Sequence, residues 1–94
     1  NNSLSTLDHA TAFLIMGMID YSQQSYTSAV ATLKKVILLF PEYEDIRSKA
    51  IYYTILTLLE SGANTEAEAF FAKYEADLDE AEKKALMEIL EVNQ

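Results

Sequence analysis

Side chains that commonly carry out chemistry are scarce in this sequence. His9 is the only histidine, and Asp8 is its only carboxylate neighbour along the chain. A general base or a metal ligand needs partners at a defined spacing, so we interpret His9 as a surface residue. The absence of cysteine excludes disulfides and thiolate metal sites, and it leaves the cytoplasm as the default compartment.

An acidic cluster near the C-terminal end is the second candidate for a site. It consists of Glu75, Asp77, Asp79, Glu80 and Glu82. Carboxylates at this density suit calcium, but the glycine and the closing glutamate spacing of an EF-hand loop are missing. A solvated turn and the start of a helix explain the cluster better. Because no phosphate-binding glycine loop or Ser-His-Asp set occurs either, we predict a non-catalytic protein that needs no cofactor or metal.

Composition favours one small all-α domain, or a piece of a larger protein. Half of the 94 residues are apolar, and only two glycines and one proline interrupt them. Such a chain can form a core and contains few helix breakers. The net charge of −8 argues against nucleic acid or an anionic membrane as the main partner. The longest mostly apolar run, residues 12–19, is too short to span a membrane.

Helical spacing of the apolar residues predicts two antiparallel hairpins and a C-terminal capping helix, in a single domain of residues 1–94. The hairpins cover about residues 6–40 and 45–76, and the capping helix covers about residues 80–91. Residues 1–4 are expected to form a frayed lead-in. The individual helices are predicted at about residues 6–21, 26–39, 46–61, 66–75 and 80–91.

Polar residues and breakers at the predicted helix ends support these limits. The expected N-terminal caps are Ser5 (with Asp8), Ser25, Asp45, Thr65 (with Glu68) and Asp79. Pro41 and Gly62 are expected to stop the helices before them, Gly62 through a left-handed conformation. Among the apolar residues, we expect Met16 to fill the core and the end of the second helix to bury Leu38 and Leu39.

The two hairpins are related by an internal offset of 38 residues, which places Ala29 and Leu33 over Ala67 and Phe71. The first hairpin contains, in order, Phe13, Met16, Gly17, Tyr26, Ala29, Leu33 and Pro41. With these residues, the chain resembles a tetratricopeptide repeat protein, a family of helix–turn–helix units of about 34 residues. In that pattern, the small Gly17 lets the paired helix approach closely.

The resemblance extends over about residues 10–79 and is weaker in the second hairpin. There Ile51, Thr54 and Ile55 replace the aromatic–Leu–Gly set of the family, and Asp79 replaces the closing proline. The second hairpin therefore resembles a degenerate copy of the first, and a generic bundle of four or five helices is the alternative fold.

The resemblance implies a groove in which the first helix of each hairpin contacts an extended or helical peptide. The corresponding residues in this chain are Leu14, Met18, Tyr21, Tyr52, Leu56 and Leu59. Some members of the family bind a C-terminal carboxylate with Lys, Arg and Asn, and those residue types are missing at these positions. Met and Tyr suit an apolar or amphipathic segment instead. Tyr52 and its neighbour Tyr53 point about 100° apart on a helix, so either one packs while the other faces the groove or solvent, or both are partly buried.

These observations together predict a protein–protein interaction module that binds an apolar or amphipathic segment of a partner protein. One alternative is a small bacterial chaperone that keeps a secreted subunit soluble, because several such chaperones are short, acidic and built from degenerate repeats. Another is a structural fragment whose apolar face forms a homodimer or joins further repeats. Arrays of this kind normally need at least three repeats for stability.

Overall fold

The computed structural model describes residues 5–92, and within this range the chain forms five α-helices and no strand. The predicted all-α fold of about five helices is confirmed. The helices are α1 (Thr6–Ser22), α2 (Tyr26–Leu39), α3 (Glu44–Glu60), α4 (Asn64–Tyr74) and α5 (Glu80–Val92), and a short 3-10 helix at Glu75–Asp77 precedes α5. The lead-in expected at residues 1–4 lies outside the described residues.

The central helix is α3, which packs against all four of the others. The pairs α1–α2 and α3–α4 are each joined by a turn of three residues, and the two helices of each pair pack against each other. Because α3 is contacted from several sides, its buried residues are not confined to one stripe. They are Ser48, Ala50, Ile51, Thr54, Ile55, Thr57 and Leu58.

Gly17 allows α1 and α2 to approach closely. A Cβ atom at this position would lie 2.5 Å from Leu33 Cδ2 and 2.6 Å from Leu33 Cγ. Leu33 is fully buried and has little room to move away. Glycine inside a helix costs about 1 kcal/mol relative to alanine, so this contact supplies the packing reason for its presence.

The helix limits agree with the sequence where a local capping interaction forms. Ser5 and Asp8 form the expected capping box, and Asp79 accepts the backbone N–H of Glu82 at 2.8 Å. Helix α2 ends at Leu39, two residues before Pro41. These ends depend on residues adjacent in sequence, which is why the sequence predicts them.

Two expected caps were wrong. Helix α3 begins at Glu44 and α4 at Asn64, so Asp45 and Thr65 lie inside the first turn of each helix. Backbone bonds to the carbonyls of the preceding residues start both helices earlier than predicted. Ser25 does occupy the N-cap position of α2, but its side chain makes no capping hydrogen bond.

The backbone repeats at the same offset of 38 residues as the sequence. Helices α1 and α3 have 17 residues each and begin 38 positions apart, and α2 and α4 also begin 38 positions apart. Both hairpin turns contain a left-handed residue at the matching position, Gln24 with φ 63° and Gly62 with φ 86°. Each turn closes with a 2.8 Å hydrogen bond between matching backbone groups, donated by Ser25 and by Ala63.

Candidate partner-binding surface

Helices α1 and α3 pack against each other and position the six predicted groove residues. On each helix the three residues follow the spacing i, i+4, i+7, which places them on one face. Five of the six are half-buried and pack against the core: Met18, Tyr21, Tyr52, Leu56 and Leu59. Leu14 differs because it is only 6% exposed and belongs to the core itself.

A chain of tyrosine rings connects the two helices. The ring centroids of Tyr21 on α1 and Tyr53 on α3 lie 5.6 Å apart, and those of Tyr53 and Tyr52 lie 5.3 Å apart. Both pairs are edge-to-face, an arrangement that the quadrupoles of aromatic rings favour. Tyr52 and Tyr53 are both half-buried, which is the second of the two expected arrangements, and Tyr53 joins a cluster from which the groove prediction had omitted it.

Acidic side chains border this tyrosine cluster on two sides. Burial, followed by the nearby Glu60 carboxylate, raises the pKa of Tyr21. Burial, followed by Tyr53 and Glu82, raises the pKa of Tyr52. The hydroxyl groups therefore stay protonated at neutral pH and can donate hydrogen bonds to a bound chain.

A hydrogen-bonded serine anchors the start of α5 beside this surface. Ser48 on α3 is buried, donates to Glu82 Oε1 at 2.6 Å, and accepts the backbone N–H of Asp79 at 2.9 Å. Lys49 Nζ lies 3.8 Å from Glu82 Oε2. Burial raises the pKa of Glu82, the bond from Ser48 lowers it, and the contact with Asp79 raises it again. The hydrogen bond from Ser48 therefore keeps the Glu82 carboxyl group in place at the edge of the surface.

The most exposed apolar residues of α1 lie outside the predicted groove. Ile15, Met16 and Ile19 are 49%, 50% and 48% exposed, and they share one face with the exposed Ala12. We call these four residues the outer stripe of α1. The expectation that Met16 fills the core was wrong, because no helix within residues 5–92 packs on that side of α1.

A second departure concerns the end of α2. Leu38 is 70% exposed and Leu39 is 62% exposed, so the predicted burial of this helix end was wrong. The core face of α2 passes instead through Val36, Ile37 and Phe40, and Leu38 borders an open cleft between α2 and α4. Within residues 5–92, no helix covers the side chain of Leu38 or Leu39.

Two other kinds of site, a metal centre and a membrane-spanning helix, are absent from the described part of the chain. Residues 5–92 contain no group of three or more His, Cys, Asp or Glu side chains placed to hold a metal ion. His9 is exposed near the start of α1. No helix in the described range is long and apolar enough to cross a membrane.

No family model, curated protein or solved structure matches the chain significantly. The interpretation of the α1–α3 surface therefore depends on its own geometry.

Proposed function

We propose that this chain is a non-catalytic protein–protein interaction module, similar to a tetratricopeptide repeat domain, that binds an apolar or amphipathic segment of a partner along α1 and α3. The observation that carries the proposal is the half-buried cluster of Tyr21, Tyr53 and Tyr52, continued by Leu56. Tyrosine provides large apolar contact area together with a polar hydroxyl, a combination enriched in protein interfaces.

The charges around the surface indicate the kind of segment that fits. Glu60 and Glu82 border the tyrosine cluster, and the whole chain has a net charge of −8. Opposite charges at the rim of an interface raise the association rate and help to select the partner. The surface therefore favours an amphipathic helix whose apolar face is flanked by Lys or Arg.

Binding of a designed peptide tests this proposal directly. The probe is a fluorescently labelled amphipathic helix with Leu on one face and Lys at its flanks, and anisotropy measures its dissociation constant. We expect Leu56→Glu to weaken binding by about tenfold or more, because it replaces an apolar contact with a charge. A factor of ten corresponds to about 1.4 kcal/mol of binding free energy. Tyrosine fluorescence provides a second readout, because the chain contains six tyrosines and no tryptophan.

The matched control is Leu38→Glu, which introduces the same charge at an exposed apolar position of α2. Binding that is unaffected by Leu38→Glu and lost in Leu56→Glu supports the surface on α1 and α3. Equal loss in both variants indicates a general charge effect and contradicts the proposal, as does the absence of binding to the unmodified chain.

The sharper form of the proposal is a small chaperone that keeps an apolar subunit of a secreted assembly soluble. It is supported by the short acidic chain and its repeated hairpins, and the cytoplasm is its assumed compartment. A chaperone suppresses aggregation of an apolar client at a one-to-one ratio, which light scattering at 90° measures. A module that binds the peptide but does not prevent aggregation of the apolar client fits only the broader proposal.

A further inference from the structure

The open cleft between α2 and α4 combines apolar and aromatic walls with basic side chains, and none of its lining residues is acidic. Its volume is about 270 Å³. Pockets for small molecules usually measure roughly 300–1,000 Å³, so this cleft suits a single large side chain better than a whole drug-sized ligand. The residues that line it are Lys34, Ile37, Leu38, Phe70, Lys73 and Tyr74.

Three cations surround the two aromatic rings of the cleft. The ring centroids of Phe70 and Tyr74 lie 4.6 Å apart. Lys34 Nζ lies 5.8 Å from the Phe70 centroid, and Lys73 Nζ lies 5.3 Å from the Tyr74 centroid. Arg47 of α3 lies over the Tyr74 ring at 5.6 Å. Attraction between a cation and a ring face holds these charges at the walls of the cleft.

The cations differ in whether a carboxylate already pairs with them. Arg47 Nη1 lies 2.9 Å from Asp77 Oδ2, so its charge is neutralised and its role is to support the Tyr74 ring. Within residues 5–92, no carboxylate lies within 4 Å of the ammonium group of Lys34 or Lys73. Each of these two ammonium groups therefore has N–H donors to offer to a ligand.

The charge of this cleft is opposite to that of the proposed peptide surface. Helix α2 is the only described helix without an acidic residue, whereas Glu60 and Glu82 border the tyrosine cluster on α1 and α3. Complementary charge selects the partner of an interface, so the cleft favours an anionic ligand. The net charge of −8 repels a long polyanion such as nucleic acid, but a short acidic segment contacts the cleft alone.

We propose that this cleft binds a short acidic segment of a partner protein, in which one large apolar side chain is flanked by Asp or Glu. The apolar side chain packs between Leu38 and the two rings, and the flanking carboxylates accept hydrogen bonds from Lys34 and Lys73. Leu38 is 70% exposed in the free chain, and such a segment covers it. The proposal is independent of the peptide surface on α1 and α3, because the two share no residue.

A nuclear magnetic resonance titration of the ¹⁵N-labelled full chain tests this proposal. The probe is a capped peptide of sequence Gly-Glu-Glu-Phe-Glu-Glu-Gly. We expect the amide signals of residues 34–38 and 70–74 to shift. The dissociation constant should be about 0.1–1 mM, because the contact is much smaller than the roughly 800 Å² per partner of a standard interface. Raising the salt concentration from about 50 to about 500 mM should weaken binding several-fold, because it screens exposed charges.

Two double variants of equal charge separate the cleft from a general charge effect. Lys34→Gln combined with Lys73→Gln removes both ammonium groups of the cleft and should weaken binding about fivefold or more. Lys35→Gln combined with Lys84→Gln removes the same charge outside the cleft and should weaken binding less than about twofold. All four side chains are exposed, so circular dichroism should show an unchanged fold.

Two single variants distinguish the cleft from the surface on α1 and α3. Leu38→Glu places a like charge in the cleft and should weaken binding of the acidic peptide about tenfold, whereas Leu56→Glu should leave it unchanged. With the basic amphipathic helix as the probe, the two variants should have the reverse effects. Failure of one proposal is therefore distinguishable from failure of the other.

Several results overturn this proposal. One is the absence of shifts at the cleft with millimolar peptide, and another is equal weakening by the two double variants. Equally tight binding of a peptide with Ala in place of Phe, or of an oligothymidylate, shows that the cleft recognises negative charge alone. Shifts at the cleft when the chain is concentrated without peptide show that the acidic part of a second copy occupies it instead.

Discussion

The two hairpins share the same arrangement of helices and turns, but different residues occupy their matching positions. Their helices begin 38 residues apart, and both turns contain a left-handed residue at the matching position. The face of α3 that contains Ala50, Thr54 and Thr57 is buried, whereas the same face of α1, with Ala12 and the larger apolar Met16 and Ile19, is exposed. The less apolar version is the buried one.

This difference shows that burial depends on neighbours rather than on hydropathy alone. Thr54 and Thr57 are buried, but their hydroxyl groups still have hydrogen-bond partners. They donate to the carbonyls of Ala50 and Tyr53 at 2.7 and 2.6 Å. Met16 and Ile19 remain exposed because the described chain provides no helix for them.

The largest expected difference between the hairpins concerns two isoleucines. Ile51 of α3 is fully buried, and Ile15 of α1 is 49% exposed. Ile51→Ala should lower the free energy of unfolding by about 2–5 kcal/mol because it leaves a cavity in the core. Ile15→Ala should lower it by less than about 1 kcal/mol. Urea unfolding at low micromolar concentration measures both, and equal losses would show that the outer stripe is covered.

The next effect tests the close approach of α1 and α2 at Gly17. Gly17→Ala should destabilise the fold, since overpacking costs about 1–3 kcal/mol and the gain in helix propensity is only about 1 kcal/mol. The position matching Gly17 in the second hairpin is Ile55, which is fully buried.

The control for Gly17→Ala is the same change in a Leu33→Ala background. There the methyl group has space, so the alanine should be neutral or stabilising, and a double-mutant cycle should show strong coupling. Additive effects would mean that the contact with Leu33 does not limit this position.

A smaller effect distinguishes the two turns. Gln24 and Gly62 both have positive φ, a conformation that costs a residue other than glycine about 1 kcal/mol or more. Gly62→Gln should therefore lower stability by about 1 kcal/mol, and Gln24→Gly should raise it by up to that amount. Thermal unfolding of the two single variants and of the exchanged pair checks this. A pair that departs strongly from the sum of the singles would show that the turns are coupled.

The smallest effect is a pH dependence confined to the second hairpin and α5. Because burial raises the pKa of Glu82 above its value in the unfolded chain, ionisation of this carboxyl disfavours the folded state. Its contribution is most favourable below the unfolded pKa and is lost as pH rises through the folded pKa. Glu82→Gln, which keeps a hydrogen-bonding partner for Ser48, should therefore gain stability relative to the unmodified chain as the pH rises from below the unfolded pKa through the folded pKa of Glu82.

Urea unfolding at several pH values measures this difference, and subtraction removes the titration of the other carboxylates. A difference between Glu82→Gln and the unmodified chain that is constant with pH would show that Glu82 does not titrate differently in the folded state.

Several features of the fold could be predicted from the sequence because they depend on neighbouring residues. The Ser5–Asp8 capping box, the left-handed Gly62 and the end of α2 before Pro41 each involve interactions within a few positions. The expected caps Asp45 and Thr65 were wrong, since backbone bonds allowed α3 and α4 to begin earlier. The choice between adjacent cap positions depends on small energy differences.

Burial and contacts between helices were decided only in the tertiary structure. The amphipathic pattern identifies which residues share a helix face, but it does not show whether another helix covers that face. Met16 and Leu38 are apolar and exposed, Thr54 is polar and buried, and Tyr21 meets Tyr53 across 32 positions of sequence. The sequence by itself determined the helices and their 38-residue repetition, because these arise from local periodicity. Which face of each helix is covered was decided by the packing of the two hairpins around α3, because burial depends on neighbours that are distant in sequence.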